Sequence, residues 1–175
     1  MNKSYFLNRL VLVVFFVAAT FVVNAQSDKS NRKSPPAKIS AKINGVSLTI
    51  DYSQPSKKGR TIWGGLIKYG NVWRTGANEA TTFNISADIK IKGKVLKAGK
   101  YGLFTIPGKE EWTIIFNNVP DQWGSGGYDE SKDELRVTTK ASYGNPVVEK
   151  FTIDVDSKGN IIMKWDDAVV SFKIS

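Results

Sequence analysis

The stretch "VSLTIDYS", Val46 to Ser53, decides how this chain is built. Val46, Leu48, Ile50 and Tyr52 fall on one side of an extended chain, and Ser47, Thr49 and Asp51 on the other. That period of two marks a half-buried strand. Asn44-Gly45 joins it to "KISAKI" just before it. Asn-Gly is a strong hairpin signal, because the tight two-residue turn needs positive φ at both positions. Further strands are expected at 80–86, 88–93, 99–106, 111–117, 134–140, 147–156, 160–166 and 168–174, with "VVEKFTIDVD" and "NIIMKW" as a final hairpin. Lys92-Gly93 and Lys158-Gly159-Asn160 supply turns. No stretch sustains a period of 3.6, and "DESKDEL" (129–135) offers one helical turn at most. Many short strands with turn signals between them predict an all-β, antiparallel β-sandwich in a single domain, jelly-roll-like or immunoglobulin-like.

The N-terminus is read separately. Lys3 and Arg9 precede an uncharged apolar run from Leu10 to Val23, and "VNA" follows. A basic start, a short apolar core and a small residue at the cut describe a signal peptide over 1–25. The run is shorter than the ~20 residues of a usual membrane span. Cleavage after Ala25 takes 25 of the 175 residues and leaves 150, the size of one domain. Residues 26–37, polar and Pro-containing, read as a flexible tether, and 38–175 as the folded domain. The expected location is the periplasm or the extracellular space, with no membrane span after cleavage.

Composition removes much chemistry. Histidine and cysteine are both absent. There can be no Ser-His-Asp triad, no Cys-His pair, no His-based metal site, no disulfide and no lipid on an N-terminal cysteine. No P-loop, G-x-G-x-x-G or G-x-S-x-G motif occurs. "DESKDE" lacks the spacing and central glycine of a calcium loop. No cofactor and no metal are expected. The net charge of +9 is concentrated early: residues 27–60 hold eight basic residues against two acidic ones. That distribution describes a basic arm rather than a nucleic-acid module, and no module signature is present.

Three irregular segments are richer than a scaffold requires: 52–70 with Arg60 and Trp63, "VWRTGANEATT" with Trp73, Arg74, Asn78 and Glu79, and 117–131 with Trp123 and Tyr128. Aromatic rings in Gly-rich loops suit the flat faces of sugars or other organic ligands, with Arg and Asn fixing orientation. In this reading Arg60 and Arg74 pair with anionic or hydroxyl groups, the aromatic rings stack, and Asn78 and Glu79 orient the ligand. The partner is a small polar ligand or a cell-envelope component, with no nucleic acid. Equally, the tryptophans can plug the end of a core, Arg74 and Glu79 can tie their own loop, and Asn78 can adopt a left-handed turn. Trp112 and Trp165 are expected in the core. Glu79 is the one candidate acid or base, since burial beside aromatics raises a carboxyl pKa. A second carboxylate for glycoside hydrolysis would come from Asp51, Asp121 or Asp129.

The segment from Tyr52 to Thr81 reads Y-S-x-P-x-x-x-G-R-x-I-W-G-x-L-x-x-Y-G-x-x-W-R-x-G-A-N-E-A-T without a break. "L-x-A-G-x-Y-x-L-F-x-I-P" from Leu96 to Pro107 and "W-x-I-I-F-N" from Trp112 to Asn117 follow. In these runs the chain closely resembles the bacterial family catalogued as domain of unknown function 2911, over about residues 38–175. The resemblance implies an exported bacterial protein with a β-sandwich-like domain. It supplies no reaction and no ligand residues. Three readings therefore stand side by side: a ligand-binding β-domain, a carboxylate-dependent hydrolase using Glu79, and an interaction module without a small-molecule site.

Overall fold

The computed structural model describes residues 29–175. The signal-peptide segment and residues 26–28 lie outside the described residues. Eleven strands follow one another: β1 (Pro36–Ile43), β2 (Val46–Ser53), β3 (Thr81–Ile85), β4 (Ile89–Ile91), β5 (Lys94–Leu96), β6 (Gly99–Ile106), β7 (Glu111–Asn117), β8 (Asp133–Ser142), β9 (Val148–Val155), β10 (Asn160–Asp166) and β11 (Ala168–Lys173). The one helical element among the described residues is a 3₁₀ turn, Glu130–Lys132, within the "DESKDEL" stretch.

The β1–β2 hairpin forms in the expected register, Ile43 opposite Val46 and Pro36 opposite Ser53, without a bulge. Asn44 and Gly45 take φ of 50° and 87°, the two positive values that a tight turn matching strand twist requires. Leu48, Ile50 and Tyr52 are buried and Ser47 and Asp51 exposed, as the alternation dictates. β1 starts at Pro36, two residues earlier than expected. The short strand β5, missed in the sequence, is the return arm of a hairpin through Lys92-Gly93.

Nine strands form one sheet in the order β1-β2-β3-β6-β7-β8-β11-β10-β9, all neighbours antiparallel. The strand twist curls so long a sheet upon itself, and its two ends, β1 and β9, approach each other. The chain leaving β2 covers the outer edge of β9. Phe151 N–H donates to the Pro55 carbonyl at 2.9 Å, and Lys57 N–H to that of Glu149 at 2.7 Å. Tyr52 accepts a hydrogen bond from Ile153 N–H on its hydroxyl at 3.2 Å. The result is an all-β, antiparallel, nearly closed, barrel-like sheet around one core.

Phe83 of β3 meets Phe116 of β7 at 5.0 Å between ring centroids, and Phe116 meets Phe172 of β11 at 5.9 Å, so strands from across the sheet share that core. One end is closed by the β4–β5 hairpin, which inserts Ile89, Ile91 and Leu96 and exchanges backbone hydrogen bonds between Lys90 and Ser175. The other end is closed by the chain between β2 and β3, which carries six of the eight predicted site residues, with Trp123 and Tyr128 following between β7 and β8.

Candidate functional site

The loop between β2 and β3 enters the core before it reaches the surface. Trp73 forms an antiparallel bridge to Thr105 of β6, with backbone hydrogen bonds of 2.8 and 2.9 Å. Its indole donates to the Gly76 carbonyl at 3.0 Å. Thr75 and Thr81 are buried beside it. The Thr75 hydroxyl bonds that of Thr105 at 3.2 Å, and the Thr81 hydroxyl donates to the Thr75 carbonyl at 2.7 Å. Trp63 arrives from the preceding turn and donates to the Trp165 carbonyl at 3.3 Å. Trp63, Trp73, Trp112, Trp165 and Phe151 pack as a cluster, with centroids 4.8 to 6.1 Å apart. Trp63 and Trp73 therefore plug the open end. They stand in the core and not at a ligand surface, because loops that cross a barrel mouth must fill it with large apolar groups.

Asn78 reverses this course. Its φ of 60° is left-handed, the conformation expected for it. Its amide donates to the Ser34 carbonyl at 3.0 Å and to the Ser53 hydroxyl at 3.2 Å. The turn delivers Glu79 to the outer face of the sheet. There the ladder aligns Lys38, Asp51, Thr82 and Gly102 in one row across β1, β2, β3 and β6. Over the end of that row crosses the segment 119–123. A Cβ at Gly102 would lie 3.0 Å from the Val119 carbonyl oxygen and 2.8 Å from the Phe104 ring, so glycine permits the crossing. Between the row and the crossing segment lies a groove of about 730 Å³, lined by Asp51, Ser53, Glu79, Thr82, Lys100 and Trp123 among others.

Trp123 stands apart from the four other tryptophans. It is 67% exposed, yet its backbone is fixed on both sides. Ala80 N–H donates to the Gln122 carbonyl at 2.9 Å and Gly124 N–H to the Asn78 carbonyl at 3.0 Å. The charges in the groove come in pairs: Lys38 with Asp51 at 2.9 Å, Lys100 with Asp121 at 2.6 Å. Glu79 holds Lys29 at 3.0 Å on one oxygen and Arg32 at 2.7 Å on the other. The Arg32 guanidinium also lies over the Trp123 ring, 5.9 Å from its centroid. Burial pushes the Glu79 pKa up, but its own backbone N–H and the hydrogen bonds from Lys29 and Arg32 outweigh that and bring it down to about 2. The rise expected from burial beside aromatics is thus reversed, because the basic arm neutralises the carboxylate.

The remaining predicted residues lie apart from the groove. Arg60 is exposed and donates from Nε to the Lys57 carbonyl at 3.0 Å and from Nη2 to that of Ser56 at 2.5 Å, tying its own turn. Arg74 is half-buried and points to neither Glu79 nor any other carboxylate among the described residues. Its buried Nε has no hydrogen-bond partner there, and burial lowers its pKa. Tyr128 packs on Phe104 in a small apolar cluster on the outer face of the sheet. It donates to Asp133 at 2.5 Å and accepts from Arg136 at 3.0 Å, and burial together with Asp133 pushes it up to about 12. Asp129 caps the 3₁₀ turn. Of the eight candidates the groove collects Glu79 and Trp123, with Asn78 holding the wall between them. Lys29, Arg32, Lys38 and Lys100 were missed. The signal for the last two was their outward phase on β1 and β6. Among the described residues no group of three or more potential metal ligands occurs.

The molecule is thus an all-β domain of one nearly closed antiparallel sheet, with a plugged end and a polar groove on its outer face. The chain belongs to the family described as protein of unknown function DUF2911, which matches residues 34–174. No curated protein and no solved structure matches the chain.

Proposed function

We propose that this protein is an exported, soluble binding module that takes a polar organic, carbohydrate-like ligand in the groove beside Trp123. One observation carries the reading: a tryptophan two-thirds exposed on a backbone pinned from both sides, at the rim of a polar groove. Tryptophan is seldom left so open without a use. Its face suits a sugar ring or another flat group, and Thr82, Ser53, Asp51 and Lys100 offer hydroxyls and charges for orientation. The fold we propose is a flattened sandwich, β1-β2-β3-β6-β7 facing β8-β11-β10-β9 across the shared core. Export rests on the signal-peptide pattern of residues 1–25, and places the ligand in the cell envelope or outside it.

A hydrolase is the weaker reading. Glu79, Asp51 and Asp121 do line one groove, but each carries a cation at ion-pair distance. A general acid needs the opposite setting, a carboxyl whose pKa is raised. The test is titration calorimetry of the chain from residue 26 with chitotriose, cellotriose and a muropeptide, in wild type and Trp123→Ala. The expected result is binding of at least one of the three, weakened about tenfold or more by the substitution, ~1.4 kcal/mol, at unchanged melting temperature. No binding across the set, or binding indifferent to Trp123, contradicts the proposal.

A further inference from the structure

The groove is already partly filled, by the chain itself. Arg32 brings one guanidinium nitrogen to Glu79 Oε2 at 2.7 Å and lies over the Trp123 face at 5.9 Å, while Lys29 takes Oε1 at 3.0 Å. A carboxylate and an aromatic face converging on one cation form a recognition device for guanidinium and ammonium groups. The rest of the groove is balanced without the arm, since Lys38 and Lys100 have Asp51 and Asp121. Lifting Lys29 and Arg32 away would leave Glu79 alone uncompensated.

We infer that the Glu79–Trp123 end of the groove recognises a guanidinium or ammonium group of the ligand, and that Arg32 and Lys29 occupy this place as displaceable stand-ins. The inference rests on the reading of the groove as a binding site and adds the chemical class of the group that enters it. The arm is built for exchange. Its base is fixed, with the Ser34 carbonyl held by Asn78 and the Pro35 carbonyl by Gln54 N–H at 2.9 Å. Beyond that base, Lys29 and Arg32 meet the groove through ion pairs in which Lys29 is 45%, Arg32 28% and Glu79 39% exposed, together with the Arg32–Trp123 cation–π contact, and solvent-accessible pairs hold weakly. Asn78 and the backbone on either side of Trp123 are held by hydrogen bonds to Ser53, Gly124 and Ala80, none of which involves Lys29 or Arg32.

The test uses two small probes that differ in charge and scarcely in shape, Nα-acetyl-arginine methylamide and Nα-acetyl-citrulline methylamide. Binding is followed by the shift of the Trp123 indole signal in the chain from residue 26, with putrescine as a third probe for a bare ammonium. Wild type is expected to bind the arginine probe weakly. Lys29→Ala/Arg32→Ala is expected to bind it about tenfold more tightly, the scale of one exposed ion pair with a cation–π contact. Glu79→Gln in that background is expected to abolish the gain, and the citrulline probe to bind none of the proteins. If the double variant fails to fold, Arg32→Gln alone carries the same comparison with a smaller gain. Equal binding of the arginine and citrulline probes, or no tightening on removing the arm cations, overturns the inference. If neutral oligosaccharides still bind through Trp123 in that case, the groove reading survives and only the cationic group is wrong. Tightening for the arginine probe but not for putrescine assigns the place to a guanidinium, as in a basic peptide.

Discussion

Glu79 stands where the loop after Trp73 turns from core to surface, and its titration reports what it faces. Its folded-state pKa of about 2 lies below the ordinary 4.5. A depressed carboxyl contributes stability that is fully present above about pH 4.5 and is lost as the pH falls through about 2. At 39% exposure solvent screens the pair, so the contribution is expected to stay below about 1 kcal/mol. The Glu79 carboxyl signal followed by NMR is therefore expected to titrate well below 4 in wild type, and to move back toward its ordinary value in Lys29→Ala/Arg32→Ala. An unchanged midpoint in the variant would remove the arm as the cause. Trp165 is the contrasting residue. It is 1% exposed, at the centre of the indole cluster, and donates to the Glu149 carbonyl at 3.3 Å. Trp165→Ala is expected to cost about 3–5 kcal/mol in urea denaturation, by lost burial and the cavity left behind. A loss under about 1 kcal/mol would mean that the cluster does not hold the plugged end.

The elements that shape the groove are a row of strand residues and a segment laid over it. Gly102 is the point of closest approach. Gly102→Ala places a methyl group 3.0 Å from the Val119 carbonyl oxygen and 2.8 Å from the Phe104 ring. The expected outcome is a loss of about 1–3 kcal/mol by overpacking, with loss of the oligosaccharide binding that depends on Trp123, since the displaced segment carries that ring. A variant with wild-type stability and binding would show that the segment can rise freely. At this scale the sequence was informative where physics is local. Alternation gave β1, β2 and the final hairpin, Asn44-Gly45 gave their turn, and Asn78 announced its left-handed φ. β5 escaped because its apolar residues, Val95 and Leu96, are adjacent and show no alternation, whereas Ile89 and Ile91 of the equally short β4 do. The division of the loop 73–81 into a buried half and a groove half escaped as well. Trp73 and Trp123 are the same residue in similar glycine-rich surroundings, and only strands distant in sequence decide that one faces Thr105 and the other water. The arm was legible as basic, but its partner, Glu79, lies 47 positions beyond Arg32.

On the scale of the whole molecule, the curl of the nine-strand sheet separates two kinds of work. The interior, closed at one end by the β4–β5 hairpin and at the other by Trp63 and Trp73, supplies stability. The outer face of β1, β2, β3 and β6 carries the groove that we propose takes the ligand. Short strands with turn signals between them foretold an all-β fold, but a strand pattern says nothing of which outer face is concave. The five tryptophans now act as reporters of that division. The indole N–H groups of Trp63, Trp73, Trp112 and Trp165 donate inside the protein, to the carbonyls of Trp165 and Gly76, the Tyr143 hydroxyl and the Glu149 carbonyl. Trp123 is exposed. The measurement that bears most directly on the groove is a ¹⁵N spectrum of the five indole signals during titration with the oligosaccharides and the arginine probe. The predicted result is one moving signal, that of Trp123, lost in Trp123→Ala, with the other four still. Five motionless signals with every ligand, or movement confined to the four buried ones, would contradict a binding site at this groove.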